Sequence, residues 1–168
     1  MSAGPTGLLS DGDEERNMRF TREAEYALRA LAYLASLSPG QVSPANQVAE
    51  TCGLPGPFLS KTLRKLARGG VLRSARGRSR GYGLARRARE VSVWEVLEAV
   101  EGRDAFRRCV FWDSRCSEDR PCALHGAWAT VRGELLANLE RMTLEDVRAA
   151  GWAPDPPGTQ SALMASKR

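Results

Sequence analysis

The chain has 168 residues, 42% of them hydrophobic, which suits one compact domain with an added element or two. No apolar run approaches the roughly 20 residues that span a bilayer, and residues 1–17 are polar and acidic where a secretory signal would be basic and then apolar. A cytoplasmic protein with no membrane segment is expected. Its four cysteines should then be reduced, as ligands or sensors rather than disulfides. The net charge of +5 understates the polarity: eleven of the 25 bases and no acid fall between Lys61 and Arg89, so the remaining 14 bases face 20 acids at a net −6. A mildly acidic body with one concentrated basic face is the footprint of a phosphate-backbone binder.

After a polar tail over residues 1–17, Thr21 can cap a helix whose first turn holds Glu23 and Glu25, favourable at the positive end of the dipole. Ala24, Ala27, Leu28, Leu31, Ala32 and Ala35 recur at helical spacing, and Ser38-Pro39-Gly40 ends the run. Ser43-Pro44 reads as a second helix start with Pro at the first position, stopping at Gly53. A third helix follows Pro55-Gly56-Pro57, with Phe58, Leu59, Leu63 and Leu66 inward, and stops at Gly69-Gly70. A β pattern over residues 71–75, a basic tip (residues 76–81) and a second strand at Tyr82-Gly83-Leu84 complete the order of a winged helix-turn-helix over residues 18–90. The expected fold is mainly α with a two-stranded wing.

Ser92-Val93-Trp94-Glu95 is a capping box opening a connecting helix within residues 91–108, with Val93, Val96, Leu97 and Val100 on one face and Gly102 closing it. Residues 109–125 form a loop-like cysteine segment. A longer helix over residues 124–147 carries Leu124, Trp128, Val131, Leu135, Asn138 and Met142 four and three apart. That is a coiled-coil seam with one polar position, suited to a second subunit, although packing back onto the first helix would also bury it. Residues 148–168 read as a disordered tail.

In this architecture the second helix of the helix-turn-helix enters the major groove, its N-terminal residues near the base edges. The candidates there are Ser60, Lys61, Arg64 and Lys65. Lys61 or Arg64 can donate to guanine, whereas Lys65 and Arg68 suit phosphate contact or solvation. Arg76, Arg78 and Arg80 at the wing tip suit a narrow minor groove, and Gly77 and Gly81 would let the tip approach the DNA backbone. Phe58, Leu63, Leu66 and Tyr82 read as core rather than as base-stacking residues.

Cys109, Cys116, Cys122 and His125, the only histidine, lie within seventeen residues. Six residues separate the first two cysteines and five the next two, so the close Cys pair of zinc ribbons and the Cys-x-x-Cys of thiol oxidoreductases are both absent. Wide spacing around a loop suits an iron–sulfur cluster, which needs a fourth ligand. His125 is one candidate and Glu25 of the partner subunit is another; Glu25 serves equally well as a dipole partner in its own helix. Cys52 reads as a small buried residue.

Met18-Arg19-Phe20-Thr21 with Tyr26-Ala27-Leu28-Arg29, Phe58-Leu59 through Leu63-Arg64-Lys65-Leu66 and Gly70, Arg76-Gly77 with Gly81-Tyr82, and the three cysteines together resemble the Rrf-two family of bacterial winged-helix regulators. The resemblance spans roughly Met18 to Val147. It implies a homodimer held by the C-terminal helices, bound to partly palindromic double-stranded promoter DNA and responsive to cluster state. Carried over by position, Cys109, Cys116 and Cys122 match the cluster ligands. His125 matches the histidine of the cluster-assembly branch, and Glu25 falls where the nitric-oxide-sensing branch places a carboxylate from the opposite subunit. Both 2Fe–2S and 4Fe–4S clusters therefore stay open. Two departures are Arg80, where the family often has glycine, and a first cysteine gap one residue longer than in the cluster-assembly branch. The leading expectation is a cluster-controlled repressor. Its alternatives are a clusterless regulator of the same fold governed by thiol oxidation, zinc or a partner protein, and, from another class, a thiol- or metal-dependent enzyme. A single histidine and the lack of a phosphate loop or paired carboxylates disfavour the enzyme.

Overall fold

The computed structural model describes residues 20–77, 80–104 and 118–150. Helix α1 (Arg22–Ser36) runs through the centre of the fold, its N-terminus capped by the Thr21 hydroxyl, which accepts from the Ala24 N–H. Ala24, Ala27 and Ala30 are fully buried, and their small side chains let neighbouring elements approach α1 closely. Helices α2 (Ala45–Cys52) and α3 (Gly56–Arg68) follow, then strands β1 (Leu72–Ala75) and β2 (Gly81–Leu84). The strands pair antiparallel, with Leu72 opposite Leu84 and Ala75 opposite Gly81. A 3-10 turn at Ala88–Glu90 leads into α4 (Val93–Glu101), α5 (His125–Arg141) and α6 (Leu144–Ala149). Leu31, Leu59, Leu63, Leu66 and Leu97 are fully buried in one core, each worth about 1.5–3 kcal/mol of apolar burial. Among the described residues no helix is long and apolar enough to cross a membrane.

The expected order of three helices and a wing is the one observed, and the Ser92 capping box forms: the Ser92 hydroxyl accepts from the Glu95 N–H while the Glu95 carboxylate accepts from the Ser92 N–H. Three expectations need correction. Pro44 is the N-cap of α2 and not its first residue, and Ser43 does not cap the helix. Its N–H donates to the Tyr82 carbonyl at 2.9 Å and its carbonyl accepts from the Tyr82 N–H at 2.9 Å, so residue 43 adds a bridge to the wing instead. Phe58 is 39% exposed rather than inward; its ring meets Tyr26 edge-on, with centroids 5.5 Å apart. The helix expected as one piece over residues 124–147 is two. It ends at Arg141 because the next residues pair with the α4 entrance: the Val93 N–H donates to the Met142 carbonyl at 2.8 Å and the Leu144 N–H to the Val91 carbonyl at 3.0 Å. Thr143 and Asp146 then form a second capping box that opens α6 against α1, so residues 148 and 149 are helical rather than tail.

Candidate nucleic-acid interface and sensor segment

The exposed side of α3 follows from its sequence. Leu59, Thr62, Leu63 and Leu66 turn into the core, which leaves Lys61, Arg64 and Arg68 in solvent. With Ser74 and Tyr82 of the wing they line a groove of about 600 Å³. Lys61 and Arg68 have no acidic partner among the described residues, while Arg64 lies along its own helix, its Nε donating to the Ser60 carbonyl at 3.0 Å. Arg76 and Arg80 are exposed at the wing tip; Arg78 lies outside the described residues. Of the cations the sequence pointed to, Lys61, Arg64, Lys65 and Arg68 line one groove, and Arg76 and Arg80 stand exposed on the wing.

Lys65 differs from its neighbours. It also lines the groove, but its Nζ donates to Glu23 Oε2 at 2.6 Å and to the Val100 carbonyl at 3.2 Å, and Thr62 Oγ1 reaches the other Glu23 oxygen at 3.3 Å. Sequence reasoning placed Glu23 only as a dipole residue, since a pairing 42 positions away leaves no periodic signal. Gly81 also has a role other than the one expected. A Cβ there would stand 2.5 Å from the Ser43 carbonyl oxygen and 2.9 Å from the Pro44 nitrogen. The glycine admits the protein's own chain at this point of the wing. Gly77, with open space around it, takes a φ of 86°, a conformation that a side chain would strain.

The sensor candidates are only partly placed, because Cys109 and Cys116 lie outside the described residues. Cys122 and His125 stand together where α5 begins, both half-buried, with the His125 N–H donating to the Cys122 carbonyl at 3.0 Å. Among the described residues no three metal-binding side chains come together. The donor chemistry still fits a cluster: one segment carries three thiols and an imidazole, and three residues after His125 the buried Trp128 indole N–H has no acceptor among the described residues. Glu25 pairs with Arg29 Nη2 at 2.9 Å, and both side chains are more than two-fifths exposed. Such a pair is weak and easily exchanged for another partner. Cys52 is buried as expected, and that burial, against an opposing pull from Arg29, pushes its thiol up to about 11, so it is inert at neutral pH.

Along α5 the seam divides. Trp128 is buried, Leu135 packs half-buried on the core, and Leu124, Val131, Asn138 and Met142 are exposed. The helix packs on α4.

A basic recognition-type helix, a wing, and a cysteine segment leading into α5 can be set against known proteins. The profile of the Rrf2 (Rrf-two) family, described as an iron-dependent transcriptional regulator, matches residues 20–150. The chain belongs to this family. A Mycobacterium tuberculosis HTH-type transcriptional regulator is 36% identical over 82% of this chain and 85% of its own length. An HTH-type transcriptional regulator of Aquifex aeolicus is 30% identical over 77% of this chain and 91% of its own. Among solved structures, CymR, the global cysteine regulator of B. subtilis, superposes with a TM-score of 0.66 at 21% identity, covering 79% of this chain and 98% of that one. At that identity CymR shares the fold. The chain is a DNA-binding transcriptional regulator and not an enzyme, in keeping with its family and relatives.

Proposed function

We propose that this regulator is a homodimeric repressor whose operator affinity is set by an iron–sulfur cluster. The observation that carries the reading is the donor set: Cys109, Cys116 and Cys122 supply three thiolates, and the His125 N–H bonds the Cys122 carbonyl across the turn that opens α5. The iron-dependent description of the family points the same way. His125, or Glu25 of the partner subunit, completes the ligands. A bound cluster supplies a centre that reacts with oxidants and nitric oxide and tracks iron supply. The chain's own part is positional. Holding residues 109–125 fixes the segment between α4 and α5, and α4 packs directly on α3. Lys61, Arg64, Arg76, Arg78 and Arg80 then meet the operator, with Ser60 beside the base edges. Exposed Val131 of α5, with Leu124 and Met142 at its two ends, is the surface that suits a second copy.

The test is iron, acid-labile sulfide and visible spectrum of protein purified without oxygen, with native mass spectrometry of the dimer. Matching iron and sulfide, lost in Cys122→Ser, is the expected result, and comparison of His125→Ala with Glu25→Ala assigns the fourth ligand. Colourless protein after anaerobic reconstitution would overturn the cluster and leave a regulator governed by its thiols, by zinc or by a partner.

A further inference from the structure

The last turn of α4 is where three helices are tied by polar bonds. The final carbonyls of a helix have no partner within it. Here the Val100 carbonyl accepts from Lys65 Nζ of α3 at 3.2 Å, a cation placed at the negative end of the α4 dipole. The same Nζ donates to Glu23 Oε2 of α1 at 2.6 Å, and Glu23 Oε1 accepts from Thr62 Oγ1 of α3 at 3.3 Å. One residue beyond Val100, the Glu101 carboxylate accepts from both the N–H and the hydroxyl of Thr21 at the α1 cap. Further back, Ala99 lies against the end of α3, where a Cβ on Gly69 would come within 2.8 Å of the Ala99 Cβ. Lys65 and Glu23 are 35% and 19% exposed, so the junction is part-buried, with the Glu23 side the drier of the two. The chain leaves it at Gly102 and reaches Cys109 seven residues later.

We infer that Glu23 and Lys65 are positioning residues that couple the α4 turn leading into the cysteine segment to the angle at which α3 enters DNA. The inference rests on the cluster reading above. Any shift of the α4 end moves Val100, to which Lys65 is bonded, and Lys65 sits one turn along α3 from the groove-facing Lys61. Lys65 on this account is not a phosphate contact, although it belongs to the basic run. Breaking the junction would leave α3 able to bind DNA but indifferent to what happens in residues 109–125.

The experiment is operator affinity of cluster-loaded and cluster-free full-length dimer, on an operator found by selection from random DNA, for wild type, Lys65→Met and Glu23→Gln, each at several salt concentrations. Wild type should show a loaded-to-free affinity ratio in the range of about 5–150-fold typical of coupled sites. Both variants should bring that ratio near one while retaining the wild-type salt slope. A Lys65→Met variant that keeps the full ratio and lowers the salt slope by about one would make Lys65 a phosphate contact and overturn the inference. Stronger, steeper salt-dependent binding of both forms in Glu23→Gln would do the same, by showing a lysine released to the DNA. A wild-type ratio of one would instead remove the cluster reading, and this inference with it. Circular dichroism melts of the loaded forms identify a variant that does not fold; the other member of the pair then decides.

Discussion

Gly81→Ala tests whether the wing is shaped by DNA or by the protein's own chain. The added Cβ would stand 2.5 Å from the Ser43 oxygen, 2.6 Å from its carbonyl carbon and 2.9 Å from the Pro44 nitrogen, all backbone atoms that no rotamer change can move. Either β2 or the connection between α1 and α2 has to give way, and the two Ser43–Tyr82 backbone hydrogen bonds at 2.9 Å lie directly in the path. Overpacking of this kind costs about 1–3 kcal/mol, two lost bonds add about 0.5–1.5 kcal/mol each, and the stiffer unfolded chain opposes this by about 0.4–1 kcal/mol. The net expectation is a destabilisation of about 3 kcal/mol, or roughly 10 °C in Tm for a domain of this size. The assay is thermal unfolding of wild type, Gly81→Ala and a control, Gly56→Ala, whose Cβ would meet nothing within 4 Å. Amide exchange at Ser43 and Tyr82 locates the damage. If Gly81→Ala melts with the wild type and keeps Ser43 protected while DNA affinity alone falls, the close approach belongs to DNA and the argument from the protein's own packing is wrong.

Two further outcomes follow from the helix ends. Burial pushes the Glu95 carboxyl up, but hydrogen bonds from Arg86 and from the Ser92 backbone outweigh it and leave the group below its ordinary value. Its contribution is therefore fully present above the unfolded carboxylate value of about 4.3 and lost as pH falls through the folded value. Glu95→Gln should flatten the acid limb of the urea-midpoint profile below that pH; because the Arg86 pair is well exposed, the effect at pH 7 should be mainly a weakened cap of about 1 kcal/mol. Parallel profiles for the two proteins would count against it. Leu144→Ala empties a fully buried site at the start of α6 and should cost about 2–5 kcal/mol, a large part of a typical domain's stability. A Tm within about 3 °C of wild type would show that the segment after Met142 is not part of the core.

Much of this protein is local, and the local part can be read from residue order. Thr21, the Ser92–Glu95 box and the glycines at 53, 69 and 102 act on their own helix ends, so the start of α1, the ends of α2 and α3 and both limits of α4 follow from capping chemistry within a few residues. Composition isolates the basic run between Lys61 and Arg89, and spacing isolates Cys122 and His125. Four features depend on partners far along the chain. Ser43 has the sequence of a helix cap and serves as a strand bridge because Tyr82 offers it two hydrogen bonds. Phe58 falls at an apolar position of its helix but is left part-exposed against Tyr26. An apolar stripe continues past Met142, yet α5 stops there because Val91 and Val93 claim the backbone of residues 142 and 144. Lys65 is one base among eleven in the sequence, and only the approach of α1 and the α4 terminus separates it from the rest. Propensity and capping act over one turn of chain, whereas backbone pairing and charge burial are settled by whichever segment the fold brings alongside. Residue order alone implies a winged helix with a cationic face and a thiol-rich segment. Tertiary packing decided which of those cations face outward and which one holds the helices together.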